Sequence, residues 1–264
     1  MNIPKIVGFI SEKRTILFIY RKTAFRNYLI EMKYDKASAR FVLGSAFYGR
    51  LYPSRCDISP DGRHFIYFAM GGNRKKYEEN VYCWTAICSP PIITAQLFIP
   101  HNDTWFGGGR FVDDRNISIW CDTEEHHFDK YKITIDKRLS RFEIGKGWQM
   151  KEERQRKYGM DYPMHWEKSN GRFIIRRTLE LEELYNMEGI SRGGFDMYSY
   201  TIIHSKTKKE VPLNPCTWAD FDNYDRLITS AGSKISIYKN FHEIENNESA
   251  INYDLEEILS GVTA

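Results

Sequence analysis

Five short apolar runs, each entered through a turn and an arginine, set the pattern of this chain. The runs are Thr15-Ile16-Leu17-Phe18-Ile19-Tyr20, His64-Phe65-Ile66-Tyr67-Phe68-Ala69, Asn116-Ile117-Ser118-Ile119-Trp120, Phe173-Ile174-Ile175 and Leu227-Ile228-Thr229. Ahead of them stand Ser11-Glu12-Lys13-Arg14, Pro60-Asp61-Gly62-Arg63, Val112-Asp113-Asp114-Arg115, Ser169-Asn170-Gly171-Arg172 and Asn223-Tyr224-Asp225-Arg226. Runs this short, rich in β-branched and aromatic residues and bounded by Gly, Asp and Asn, predict strands. Successive arginines stand about 50 residues apart, the period of a β-propeller blade. The chain therefore reads as all-β: a five-bladed β-propeller in a single domain over 1–264, with blades at about 5–43, 49–99, 105–144, 162–213 and 217–255.

Each blade is expected to hold four antiparallel strands, a to d, from the axis to the rim. The recurring phrase is then the a–b hairpin, since Asp, Asn and Gly accept the positive φ of a tight turn. Strand a precedes it: Lys5 to Ile10, Gly49 to Ile58, Trp105 to Phe111, Tyr162 to Glu167 and Thr217 to Phe221. Strands c and d follow it, as Asn27 to Tyr34 with Ala39 to Leu43, Asn80 to Cys88 with Ile93 to Ile99, Phe128 to Ile135 with Arg141 to Ile144, Phe195 to Ser205 with Glu210 to Leu213, and Lys234 to Tyr238 with a weaker Ala250 to Leu255. Asn246 to Ser249 reads as a loop and Tyr253 to Leu259 as a terminal helix. Two insertions, Trp148 to Tyr158 and Thr178 to Met187, are rich in good helix formers and predict short helices in the loops of one face.

The phrase Ser59-Pro60-Asp61-Gly62-Arg63 with His64 to Ala69 resembles the TolB-like propeller repeat, a relative of the WD40 repeats. Phe195 to Tyr200 leading into Lys206 to Val211 is similar to it as well. The resemblance implies a propeller and often protein binding, and it carries no catalytic residues.

Net charge is only +3, which sets up no field large enough to name a nucleic-acid or membrane partner. No apolar run approaches the ~18–20 residues of a membrane span, and the first residues lack the apolar stretch of a signal peptide. The five cysteines, Cys56, Cys83, Cys88, Cys121 and Cys216, are odd in number and scattered, which suits buried thiols in a reducing compartment. These features together read as a cytoplasmic protein.

Function is expected in the b–c and d–a loops, which are longer and less regular than the opposite set. Arg21, Lys22, Arg26, Arg74, Lys75, Lys76, Arg154, Arg156 and Lys157 supply cations there. Phe25, Trp105, Trp148, Tyr158 and Tyr185 supply aromatic anchors. The reading is a non-catalytic surface for a macromolecular partner, a protein above all. Glu78, Glu79, Glu152 and Glu153 interrupt the basic runs and argue against nucleic acid. The alternative is a glycoside hydrolase or sugar-binding propeller, with Asp57, Asp113, Asp161, Glu167 and Asp220 as channel carboxylates. No cofactor or metal is called for: Glu124-Glu125-His126-His127 with Asp129 is read as a solvated loop, and Cys83 with Cys88 as packed thiols on one strand.

Overall fold

The computed structural model describes residues 4–71, 82–101, 104, 106–120, 131–135, 147–151, 153–157, 160–180 and 198–261. Over these residues the chain is all-β, with several antiparallel sheets and two short helices. It separates into two compact units: Met1–Pro4 with Gly8–Glu143, and Lys5–Val7 with Ile144–Ala264.

One sheet, of the first unit apart from Lys5–Val7, is formed by β1 (Lys5–Ile10), β2 (Thr15–Thr23), β3 (Arg26–Tyr34), β4 (Ala39–Leu51), β5 (Asp57–Ile58), β6 (Phe65–Gly71), β7 (Cys83–Cys88) and β8 (Ala95–His101). Its order is β1-β2-β3-β4-β6-β7-β8, with β5 also beside β6. The sheet is continuous because β4 is long. Its stretch up to Tyr48 pairs with β3, and Gly49–Leu51 pairs with β6. The segment 44–48, expected as a loop, is therefore strand: Tyr48, Phe47 and Ala46 find partners in Arg26, Asn27 and Tyr28. The expected strand Gly49 to Ile58 is broken by the single 3-10 turn Pro53–Arg55.

A second sheet of this unit contains β9 (Gly109–Phe111), β10 (Asn116–Ile119) and β11 (Lys132–Ile135). Here β11 runs parallel to β10, not antiparallel as a c strand should. A connection of about a dozen residues is long enough to bring a chain back in the same direction.

The second unit contains β12 (Gln149–Met150), β13 (Arg154–Lys157), β14 (Met160–Pro163), β15 (His165–Ser169), β16 (Phe173–Leu179), β17 (Tyr198–His204) and β18 (Glu210–Pro212). One sheet has the order β12-β15-β16-β17-β18, and β13 pairs with β14. A further sheet is a regular four-strand meander of β19 (Trp218–Phe221), β20 (Leu227–Ala231), β21 (Lys234–Tyr238) and β22 (Ile251–Asp254). Two helices accompany it, α1 (Phe241–Glu245) and the expected terminal helix α2 (Leu255–Ser260). Helix α1 has no counterpart among the expected elements, although Asn240 and Glu243 carry its signal. Asn240 Oδ1 accepts the Glu243 amide (3.0 Å), and Glu243 reaches back to the Lys239 amide (2.7 Å).

The recurring phrase forms the same structure each time: a tight turn between antiparallel strands, β1–β2, β5–β6, β9–β10, β15–β16 and β19–β20. In four of the turns a side-chain oxygen holds the amide of the phrase's arginine. Asp61 takes Arg63 (2.9 Å), Asp113 takes Arg115 (2.8 Å), Asn170 takes Arg172 (3.0 Å) and Asp222 takes Arg226 (2.9 Å). Gly62, Gly171 and Asp225, each just before that arginine, have φ of 74°, 87° and 60°. The Asp, Asn and Gly content of the phrase is thus the chemistry of an Asx-type turn.

Within each unit consecutive turns bond to one another. The Glu12 amide donates to Pro60 O (2.9 Å), the Asp61 amide to Asp114 Oδ1 (2.8 Å), and Asn170 Nδ2 to Asp225 O (3.0 Å). The flanks of consecutive sheets share cores. In the first unit Ile66, Ile87, Leu97 and Ile99 of one sheet pack with Phe111, Ile117, Ile119 and Tyr131 of the next. In the second unit Phe173, Ile175, Tyr200 and Ile202 pack with Ala219, Phe221, Leu227 and Tyr238. A single sheet of short strands cannot bury both faces alone, so each supplies apolar cover for its neighbour.

Candidate partner-binding surfaces

In the first unit the turn between β2 and β3 meets the far end of β4. A register shift between Arg21 and Thr23 turns the chain, and Arg26 then pairs with Tyr48, Tyr28 with Ala46. The buried Asn27 locks the junction by donating to Gly49 O (2.8 Å), while the Gly49 amide donates to Phe25 O (2.9 Å). Gly49 is required there: a Cβ would lie 2.6 Å from Met70 O and 2.8 Å from the Phe47 ring.

This junction sets aromatic rings and guanidiniums in alternation. Arg26 lies over Tyr28 (5.3 Å) and Tyr48 (5.7 Å), and Arg50 lies over Phe25 (5.0 Å). Tyr28 in turn stacks on the buried Tyr20, which ties the exposed stripe to the core. Phe25, in the turn, is 47% exposed and Tyr48, on β4, 68% exposed, large values for aromatic rings. Stacked arginines with exposed aromatics are the composition that binding hot spots favour.

In the second unit the structure corrects the expected helix over Trp148 to Tyr158. Gln149 and Met150 pair with Glu167 and Trp166, and Arg154–Lys157 pairs with Met160–Pro163. The amides of Lys151 and Met164 bridge the gap by donating to His165 O and Glu153 O. Together they make a two-stranded ribbon. The Arg, Lys, Gln and Glu content favours a helix only weakly, and cross-strand partners override that preference. Arg154 and Arg156 are exposed and, two apart on a strand, share one face of the ribbon. The second expected helix also begins as strand: Thr178 and Leu179 end β16, paired with Ser199 and Tyr198, while 181–187 lie outside the described residues. Trp148 does not stand free as an anchor. Arg177 covers it (5.6 Å) along with Trp166 (5.2 Å) and Tyr198 (3.8 Å).

Of the residues expected to bind a partner, Phe25 and Arg26 come together in the first unit, and Arg154, Arg156 and Lys157 share a strand in the second. Arg74, Lys75, Trp105, Tyr158 and Tyr185 lie outside the described residues. Tyr28, Tyr48 and Arg50 were missed. Their signal is the two-residue spacing of 26 with 28 and of 46, 48 and 50, which becomes visible once β4 is seen to run through 44–51.

Four of the five carboxylates expected to line a channel are committed to structural contacts. Asp57 accepts the Phe111 and Ile58 amides (both 2.9 Å), Asp113 holds its turn, and Asp220 pairs with Lys168 (2.6 Å). Glu167 bonds Lys151 (3.1 Å) and Arg176 (3.0 Å). Partial burial alone would raise the Glu167 pKa, but these two cations outweigh it and hold the carboxyl below its ordinary value. A glycosidase acid needs the opposite shift. The side chain of Asp161 and the segment from Glu124 to Asp129 lie outside the described residues; among the described ones no group of three His, Cys, Asp or Glu could hold a metal ion. Nor is any described helix long and apolar enough to cross a membrane.

Cys56, Cys83 and Cys88 are buried free thiols, and burial pushes Cys56 and Cys88 up to about 12. Almost no thiolate forms at pH 8, so both should resist alkylation in the folded protein and react fully in denaturant. Peptide-resolved mass spectrometry after iodoacetamide treatment checks this; rapid native labelling of either would contradict it.

No protein-family model matches the chain, and comparison with curated proteins finds no relative. The likeness of residues 59–69 to the TolB-like repeat therefore rests on those residues themselves.

Proposed function

We propose that the chain is a five-bladed, non-catalytic β-propeller that binds a protein partner through its b–c and d–a segments. Three features support the architecture: five chemically equivalent turns, hydrogen bonds from one turn to the next inside each unit, and consecutive sheets sharing apolar cores. One observation carries the binding reading. Phe25 and Arg26, from the b–c turn of the first repeat, converge with Tyr48 and Arg50, from the segment leading into the second. Two connections on the same side of the scaffold thus build one exposed aromatic and cationic surface. The ribbon bearing Arg154, Arg156 and Lys157 is a second contact region of the same kind.

Affinity purification from the native cell with quantitative mass spectrometry tests the reading. The double variant Phe25→Ala/Tyr48→Ala should lower recovery of the specific partner by about tenfold or more. The variant Arg154→Glu/Arg156→Glu/Lys157→Glu, purified in parallel, should weaken capture as well. Unchanged recovery with both would remove these surfaces from the account.

A further inference from the structure

We infer that the stripe of Tyr28, Arg26, Tyr48, Arg50 and Phe25 recognises an extended acidic segment of the partner, with two carboxylates two residues apart. The inference rests on the docking role proposed above and specifies its chemistry. Both guanidiniums lie over aromatic rings, Arg26 over Tyr28 and Tyr48 and Arg50 over Phe25. A ring face holds a guanidinium without using its N–H donors, and an arginine held in this way can grip a carboxylate with two parallel bonds. Among the described residues no carboxylate pairs with Arg26 or Arg50; Arg50 bonds the Tyr52 side chain and its Nε is covered, so its charge has no counter-ion there.

Spacing selects the occupant. Arg26 pairs across from Tyr48, and Arg50 follows Tyr48 by two residues along β4. The two cations are therefore offset along the strand by about 7 Å, the repeat at which an extended peptide presents side chains to one side. The exposed rings of Tyr48 and Phe25 lie beside this line and suit an apolar residue near the two acids. Two cations are few for a phosphodiester chain, whose affinity grows with each phosphate neutralised.

A phage-displayed library of random peptides, selected on the full chain, tests the inference. The expected result is enrichment of Asp or Glu at two positions separated by one residue, with an aromatic residue close by. Selected peptides should bind the Arg26→Glu/Arg50→Glu variant at least about tenfold more weakly, and the loss should shrink as salt rises. Enrichment of neutral or basic peptides, no enrichment, or binding that survives in that variant would overturn it. So would tighter binding of an oligo-dT strand than of any selected peptide. Unchanged thermal unfolding of the variant confirms that the fold is intact. If Phe25→Ala/Tyr48→Ala abolishes capture of the native partner while Arg26→Gln/Arg50→Gln leaves it unchanged, the docking surface stands and the acidic specificity fails.

Discussion

Asp222→Ala should destabilise the protein by about 3–5 kcal/mol, the cost of removing one member of a buried ion pair. Asp222 has a fully buried side chain. Its Oδ1 accepts the amides of Tyr224 (2.8 Å) and Arg226 (2.9 Å), and its Oδ2 accepts Arg226 Nε (2.7 Å). Alanine deletes all three acceptor contacts and leaves the Arg226 guanidinium buried without its carboxylate. Asp222→Asn separates the contributions. Asparagine can still hold the amides, as Asn170 does for Arg172 and Phe173 in the corresponding turn between β15 and β16. Arg172 is exposed and makes no such demand. Asn should therefore cost distinctly less than Ala, and urea titration should rank wild type above Asn above Ala. Equal stability of all three would mean that the turn is held by the strands alone.

Gly108→Ala should lower the Tm by roughly 10 °C. Gly108 has φ of +91°, and a Cβ there would sit 2.4 Å from Arg55 O and 2.6 Å from Arg55 Cβ. The positive φ alone costs an ordinary residue about 1–3 kcal/mol. The clash is with backbone, which cannot rotate away. Arg55 is itself pinned: it donates to Thr104 O (2.8 Å) and Phe106 O (3.1 Å) and lies over Phe68 (4.8 Å) and Trp120 (4.9 Å). The Gly108 amide also donates to Thr85 Oγ1 (2.7 Å), which contacts His101 Nε2 (2.8 Å) in the buried interior. Displacing this backbone strains both contacts. Differential scanning calorimetry of the single variant, with Gly171→Ala as comparison, checks the reasoning. Gly171 has φ of +87° but nothing within reach of a Cβ, so it should lose only the conformational part. A Gly108 variant no worse than the Gly171 one would remove the steric explanation.

The glycine run 107–109 serves the packing of the fold. Three consecutive glycines have the look of a phosphate loop, but no Lys-Ser or Lys-Thr pair closes the run, which reads instead as room for close strand approach, and each glycine has a structural reason. Added Cβ atoms would meet the Phe68 ring at 2.3 Å from Gly107, Arg55 O at 2.4 Å from Gly108, and Ser118 O at 2.6 Å from Gly109. The carboxylates near the turns behave alike, since Asp57 and Asp113 are spent on backbone amides. In a scaffold of short strands and tight turns, the polar residues that look chemical are mostly used to hold the turns.

The five turns were legible in the chain because they are local. An Asp or Asn that binds amides two to four residues away, and a residue that accepts positive φ, need no distant partner to declare themselves. The strands leaving the turns were legible for the same reason, through short runs rich in Ile, Phe, Tyr and Thr. Partnership was not local, and only the tertiary structure decided it. Gln149–Met150 and Arg154–Lys157 lie in a stretch with the composition of a helix and became strands because Trp166, Glu167 and Met160–Pro163 offered backbone partners. Lys132–Ile135 joined Asn116–Ile119 in parallel, a direction that no residue pattern encodes. The stripe from Tyr28 to Arg50 depends on β4 continuing past its own hairpin to a second neighbour, where Gly49 leaves room for the contact. Side chains drawn from separate segments acquire a common surface only when hydrogen bonding between those segments sets their register, and that register is a property of the pair.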